Sequence, residues 1–204
     1  MSIKGIICGL GNPGAGYLST RHNIGFMALD RLMETVDGSP REQIGHKKET
    51  PDYIAWQWSS LGSPDTWLLI KPMTFMNRSG SALSKVFSRS PVEVASVLII
   101  HDEVDLPLGK IKIKAGGGLA GHNGLRSIAS HLGTRDFARL RIGVGRPEDG
   151  SDLAGYVLNK FLPREFEMRD QVLDRAAQAI ITFRDHGLDS ARQQIAALSN
   201  QPSP

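Results

Sequence analysis

The 204-residue chain holds one cysteine, Cys8. No disulfide can form within it, and a lone thiol inside the apolar run IKGIIC reads as a small buried core residue. No apolar stretch approaches the roughly 20 residues that span a bilayer. The apolar run near the start, MSIKGIICGL, is too short for a secretory signal. No serine occupies a G-x-S-x-G elbow, and neither H-E-x-x-H nor C-x-x-C occurs, so the sequence offers no activated serine and no zinc motif. Internal repeats, low-complexity blocks and linkers are also missing. These absences leave a cytoplasmic globular protein as the expectation.

What is present is an alternation of strand-like and helical patterns. Apolar runs at 3–8, 53–59, 66–71 and 96–103 read as strands, as do KIKIK (110–114) and RLRIGVG (139–145). Helical spacing starts at Asn23, with Ile24, Met27, Leu32 and Val36 on one stripe, and recurs at 78–88, 124–132, within 164–184 and at 188–198. The pattern predicts one α/β domain over 1–198, a twisted, mixed, largely parallel sheet with helices on both faces, and a frayed tail at 199–204. In such folds sites form where central strands end. Two places qualify: the loop after the first strand, and HDEVDLP after the run at 97–100.

The first loop, GLGNPG (9–14), has the spacing of a dinucleotide-binding turn but not its context. Pro13 removes a backbone donor from the turn. Nine residues, GAGYLSTRH, separate Pro13 from Asn23, where the helix starts. The next acid, Asp30, falls within that helix and not at the end of a second strand. The loop instead carries Asn12, Tyr17, Thr20, Arg21, His22 and Asn23, which also suit turns and caps.

The second loop sets His101, Asp102, Glu103 and Asp105 just past a central strand. A carboxylate there can accept a hydrogen bond from an imidazole and fix its tautomer, and His22 is the natural partner. With no serine, thiol or metal motif to supply a nucleophile, the residues point to water activated by His and Asp, without a cofactor. Two more segments deliver amides: KPMTFMNRSG (71–80) with Phe75 and Asn77, and AGGGLAGHNGL (115–125) with His122 and Asn123. Asn123 reads equally well as a helix N-cap, and the glycine run 116–118 as a gate or a turn. The net charge is only +3, yet Lys110, Lys112 and Lys114 share one strand face, and Arg139 and Arg141 repeat the spacing. With Arg126 they make either a phosphate-binding surface or a solvated polar face.

Four motifs, GLGNPGAGYLSTRHNIGF, KPMTFMNRSG, HDEVDLPLGKIKIKAGGGLAGHNGLRSI and FARLRIGVGRP, occur in order over about 3–147. Together they resemble bacterial peptidyl-tRNA hydrolase. The stretch HLGTRDFARL is compact beside the asparagine-rich connection of some members. The resemblance implies hydrolysis of the ester between a peptide and the 3′ ribose of tRNA, which recycles tRNA from prematurely released chains. It implies that His22 activates water, Asp102 orients His22, and Asn12 helps select N-blocked substrates. Asn77 and Asn123 would hold peptide and water, with His122 also on the substrate side and Tyr17 and Phe75 lining the cleft. Lys112, Lys114 and Arg141 would grip tRNA phosphates. A monomer without metal or cofactor is implied. The alternative is a relative that binds RNA and has lost hydrolysis.

Overall fold

The computed structural model describes residues 2–147, 150 and 152–199. The elements run β1 (Ser2–Gly9), α1 (Ile24–Val36), β2 (Glu42–Glu49), β3 (Tyr53–Ser60), β4 (Asp65–Pro72), α2 (Ser79–Phe87), β5 (Val97–Glu103), β6 (Ile111–Ala115), α3 (Asn123–Leu132), β7 (Ala138–Gly143), α4 (Leu153–Leu158) and α5 (Phe166–Ser199). The strands form one sheet in the order β2-β3-β4-β1-β5-β7-β6. Its four central strands are mutually parallel, and β2, β3 and β6 add antiparallel flanks. This is the single mixed-sheet domain the sequence predicts. The expected tail lies, from residue 200 onward, outside the described residues.

Side-chain alternation sorts the core onto the two faces of the sheet. Ile7, Leu98, Ile100 and Leu140 pack with α1 and α5, whereas Ile6, Cys8, Val97 and Ile99 pack with α2 and α3. A strand buried on both faces shows an unbroken apolar run, which is why β1 and β5 were plain in the sequence. Cys8 is fully buried, and burial pushes its thiol pKa far up. The two helices expected in the last forty residues are the halves of α5, which breaks at Gly187, where φ is 79°.

Two elements escaped the sequence reading. β2, EQIGHKKE, is an edge strand whose residues are exposed or half-buried throughout, so it lacks an apolar signature. α4 has six residues and buries none of them fully. A third difference is one of extent: β5 runs on through His101, Asp102 and Glu103, which the sequence reading set past the strand. They pair with Arg141, Ile142 and Gly143 of β7, and this ladder keeps polar residues in extended conformation.

Candidate active site

The glycines of the first loop serve close packing. A Cβ on Gly9 would stand 2.3 Å from the carbonyl oxygen of Gly25, and one on Gly25 would stand 2.5 Å from that of Ile100. Only glycine at both positions lets the first turn of α1 sit on the ends of β1 and β5. The Leu10 N–H donates to the Ile100 carbonyl at 2.9 Å, closing the same junction. The junction brings the short 3₁₀ turn Arg21–Asn23 beside the last residues of β5.

There His22 Nδ1 lies 2.8 Å from Asp102 Oδ1. The histidine side chain is 12% exposed and the carboxylate 3%. His22 Nε2 has no hydrogen-bond partner among the described residues, and the ring borders a cleft of about 540 Å³. A second histidine reaches the same oxygen: His122 Nε2 is 3.0 Å from Asp102 Oδ1. Burial by itself would raise the Asp102 pKa. The electrostatics and hydrogen bonds of the His122 and His22 rings outweigh that and hold it well below the usual carboxylate range. Asp102 is therefore an anion throughout the physiological range. Next to it, burial and the neighbouring His122 push His101 down to about 3. Its Nδ1 donates to the Asp102 carbonyl at 2.7 Å, and its buried Nε2 has no partner among the described residues.

Asn12 is held from three sides. Its N–H donates to Asn23 Oδ1 at 2.8 Å, and Asn23 Nδ2 returns a bond to its carbonyl at 3.0 Å. Its side-chain oxygen accepts from the Met76 N–H at 2.8 Å. With the oxygen engaged, the side-chain NH₂ is the group Asn12 offers to the cleft it lines. Phe75, Asn77 and Asn123 line the same cleft. Phe75 is 58% exposed, a large apolar surface left open at its edge. Tyr17, expected in the lining, is not among the residues that form it. It closes the turn Ala15–Tyr17, where its carbonyl accepts from the Thr20 hydroxyl at 2.9 Å. The N-cap expected of Asn123 belongs to His122, whose Nδ1 accepts from Gly124 and Leu125 N–H. Asn123 Oδ1 accepts from the Arg126 guanidinium instead.

The far wall of the cleft is α4, through Leu153, Ala154, Val157 and Leu158, with Asp152 at its N-cap. No motif announced it. It is fastened to the His22 turn by Arg21, whose guanidinium donates to the Lys160 carbonyl and pairs with Glu165, both at 2.7 Å. The Tyr156 hydroxyl fastens the other side by donating to the Val144 carbonyl at 2.8 Å. In the sequence Arg21 and Asn23 were visible only as polar neighbours of His22.

The basic face divides into three kinds of residue. Lys114 and Arg141 line a second hollow behind His101 and Glu103. Arg141 Nε donates to buried Glu103 at 2.9 Å, and register sets Lys112, which is exposed, opposite Arg141. Arg139 borders that hollow but is 1% exposed, and its guanidinium holds the Gly117 and Gly118 carbonyls. Arg126 lies apart, in a groove with Arg135.

Fold and site define a mixed-sheet α/β protein in which a histidine–carboxylate pair opens onto an amide-lined cleft beside basic residues. The comparisons with known proteins agree. Residues 6–203 match the Peptidyl-tRNA hydrolase family. The chain is 47% identical over 201 residues to the peptidyl-tRNA hydrolase of Nitratidesulfovibrio vulgaris strain DP4, covering 97% of this chain and 98% of that one. It is 44% identical over 204 residues to that of Oleidesulfovibrio alaskensis strain G20, with the same coverage. The crystal structure of peptidyl-tRNA hydrolase from Acinetobacter baumannii superposes with a TM-score of 0.83 at 36% identity, covering 97% of this chain and 96% of that one. The chain belongs to the peptidyl-tRNA hydrolase family, whose members are ester hydrolases acting in translation. No helix among the described residues is long and apolar enough to cross a membrane.

Proposed function

We propose that the chain hydrolyses N-blocked peptidyl-tRNA by general-base activation of water at His22, with no metal and no cofactor. The observation that carries this reading is the 2.8 Å contact between His22 Nδ1 and Asp102 Oδ1, with Nε2 of the same ring at the cleft and unpartnered among the described residues. In that pairing Nδ1 carries the proton and donates it to Asp102, so the Nε2 lone pair faces the cleft.

A water beside Nε2 gives its proton to His22 as its oxygen adds to the ester carbonyl. The imidazolium so formed rests against the Asp102 carboxylate. When the tetrahedral intermediate collapses, the bond to the 3′ ribose oxygen breaks, and that oxygen takes the proton from Nε2. Peptide acid and tRNA leave, and the base is regenerated.

The Asn12 NH₂ donates to the acyl carbonyl of the blocked peptide, which an unblocked aminoacyl-tRNA lacks. Asn77 and Asn123 hold the peptide and the water, and Phe75 and the α4 wall cover its apolar parts. Lys112, Lys114 and Arg141 grip tRNA phosphates on the acceptor side. The protein acts as a cytoplasmic monomer in this reading, which here rests on the family resemblance.

The test is release of N-acetyl-amino acid from N-acetyl-aminoacyl-tRNA by chelator-treated protein, beside the unblocked aminoacyl-tRNA. Cleavage of the blocked substrate alone is expected. Bound tRNA without cleavage would make the chain an RNA-binding relative, and activity restored only by added metal would overturn the metal-free mechanism.

A further inference from the structure

His122 shares the Asp102 oxygen with His22, yet its two ring nitrogens have opposite surroundings. Its Nδ1 accepts from the N–H groups of Gly124 at 3.1 Å and Leu125 at 3.3 Å, as the N-cap of α3. A nitrogen that accepts two backbone donors carries no proton, so the proton of the neutral ring sits on Nε2 and is donated to Asp102 at 3.0 Å. A second proton on Nδ1 would face two N–H donors at the positive end of a helix and break both capping bonds. The same ring has no lone pair on Nε2. His22, Asp102 and His122 offer ligand atoms within 4.8 Å of one another, a spacing that a metal ion accepts. Metal binding there would need His122 to lose its Nε2 proton while Nδ1 stays in the cap, leaving an imidazolate. The donor set fits a hydrogen-bonded cluster.

We propose that His122 is a positioning residue, locked by the α3 cap as a neutral donor that aims the Asp102 carboxylate at His22. It rests on the reading of His22 as base and replaces any role for His122 in hydrogen-bonding the substrate. The lock distinguishes two histidines that lie 5.1 Å apart, centroid to centroid, and touch the same oxygen. The titratable groups that line the cleft with the pair are Asp102, His101 and Glu103 from β5 and Asp152 at the N-cap of α4. Because His122 is not a competing cation, the imidazolium formed during turnover is the one on His22.

The first arm of the test needs no substrate. Long-range ¹⁵N–¹H correlation spectra of the ¹⁵N-histidine-labelled full chain at neutral pH should show His122 protonated on Nε2 alone and His22 protonated on Nδ1. An Nδ1-protonated or imidazolium pattern for His122 would overturn the proposal. The second arm is His122→Asn, since asparagine keeps the cap but is too short to keep the ring's contact with Asp102. Its Tm should match the parent's, while kcat falls roughly tenfold with KM within about twofold, the scale of losing a group that orients a reacting partner. His122→Asn with parental kcat would reduce His122 to a helix cap and refute the positioning role. A parent chain that cleaves nothing would overturn the catalytic reading and the positioning role together, while the spectra would still report the tautomer.

Discussion

Two regions flank the end of β5, and they are built in opposite ways. Around Asp102 the contacts are short and directed: two histidines converge on one carboxylate oxygen, and Asn12 is fixed from three sides. On the β6–β7 face Lys112, Lys114 and Arg141 are exposed or half-buried, and one of them, Arg141, is partly neutralised by Glu103. The first arrangement suits proton transfer, where a few tenths of an ångström matter. The second suits a long polyanion, whose attraction falls slowly with distance and tolerates imprecision. Substitutions in the two regions should therefore fail differently.

The largest effect is expected at Asp102. Asp102→Asn removes the charge that fixes the His22 tautomer, and single-turnover cleavage of N-acetyl-aminoacyl-tRNA should slow by about 10³-fold or more. Its affinity for uncharged tRNA, measured alongside, should change little. A parallel loss of both would erase the contrast between the regions.

The next effect is on stability and falls on the buried cluster alone. His101 is neutral when folded, its pKa pushed down to about 3, but titrates near 6.5 when unfolded. The unfolded chain then binds more protons between those values, so stability falls as pH drops from about 6.5 toward 3. At 1.4 kcal/mol per pH unit the His101 share at pH 4 is on the order of 3 kcal/mol. Urea midpoints at pH 7 and pH 4 should diverge less in His101→Asn, and an unchanged divergence would remove His101 from the account.

Smaller effects are expected on the basic face. Lys114→Ala or Arg141→Ala should weaken tRNA binding by about 1 kcal/mol, several-fold in Kd, and reduce the dependence of log K on log salt by about one unit. The cleavage rate at saturating substrate should hold. Arg139→Ala should behave otherwise, because its guanidinium holds the glycine loop. It should lower Tm and leave the salt dependence as it was.

The smallest effect on turnover concerns Asn23, which is fully buried and whose side chain bonds the backbone of Asn12. Asn23→Asp keeps the acceptor, loses the donor and buries a carboxylate against the Asn12 carbonyl, so it should lower Tm and raise KM for the blocked substrate a few-fold with kcat little changed. A change confined to kcat would place Asn23 with the Asp102 cluster instead.

The parts of this arrangement that were legible in the sequence are those with local signatures. Continuous apolar runs marked β1 and β5, and the polar residues at their ends marked the site. His22 and Asp102 could be paired because parallel neighbouring strands bring their carboxyl-end loops together. The parts that stayed hidden depend on tertiary partners. α4 is too short and too exposed to carry a periodic stripe, and β2 has a single large apolar residue, Ile44. That His122, and not Asn123, caps α3 follows from where a ring nitrogen meets two N–H groups, which spacing does not encode. Arg139 and Arg141 looked equivalent by alternation, and only the glycine loop folded over Arg139 separates them.

The central claim is that His22 does the chemistry while a separate surface holds the tRNA. The measurement that meets it most directly is single-turnover cleavage of N-acetyl-aminoacyl-tRNA by His22→Ala, with tRNA affinity determined on the same preparation. Cleavage reduced by about 10³-fold or more with tRNA bound as tightly as by the parent is the predicted result. Cleavage within tenfold of the parent, or affinity lost in step with turnover, would contradict it.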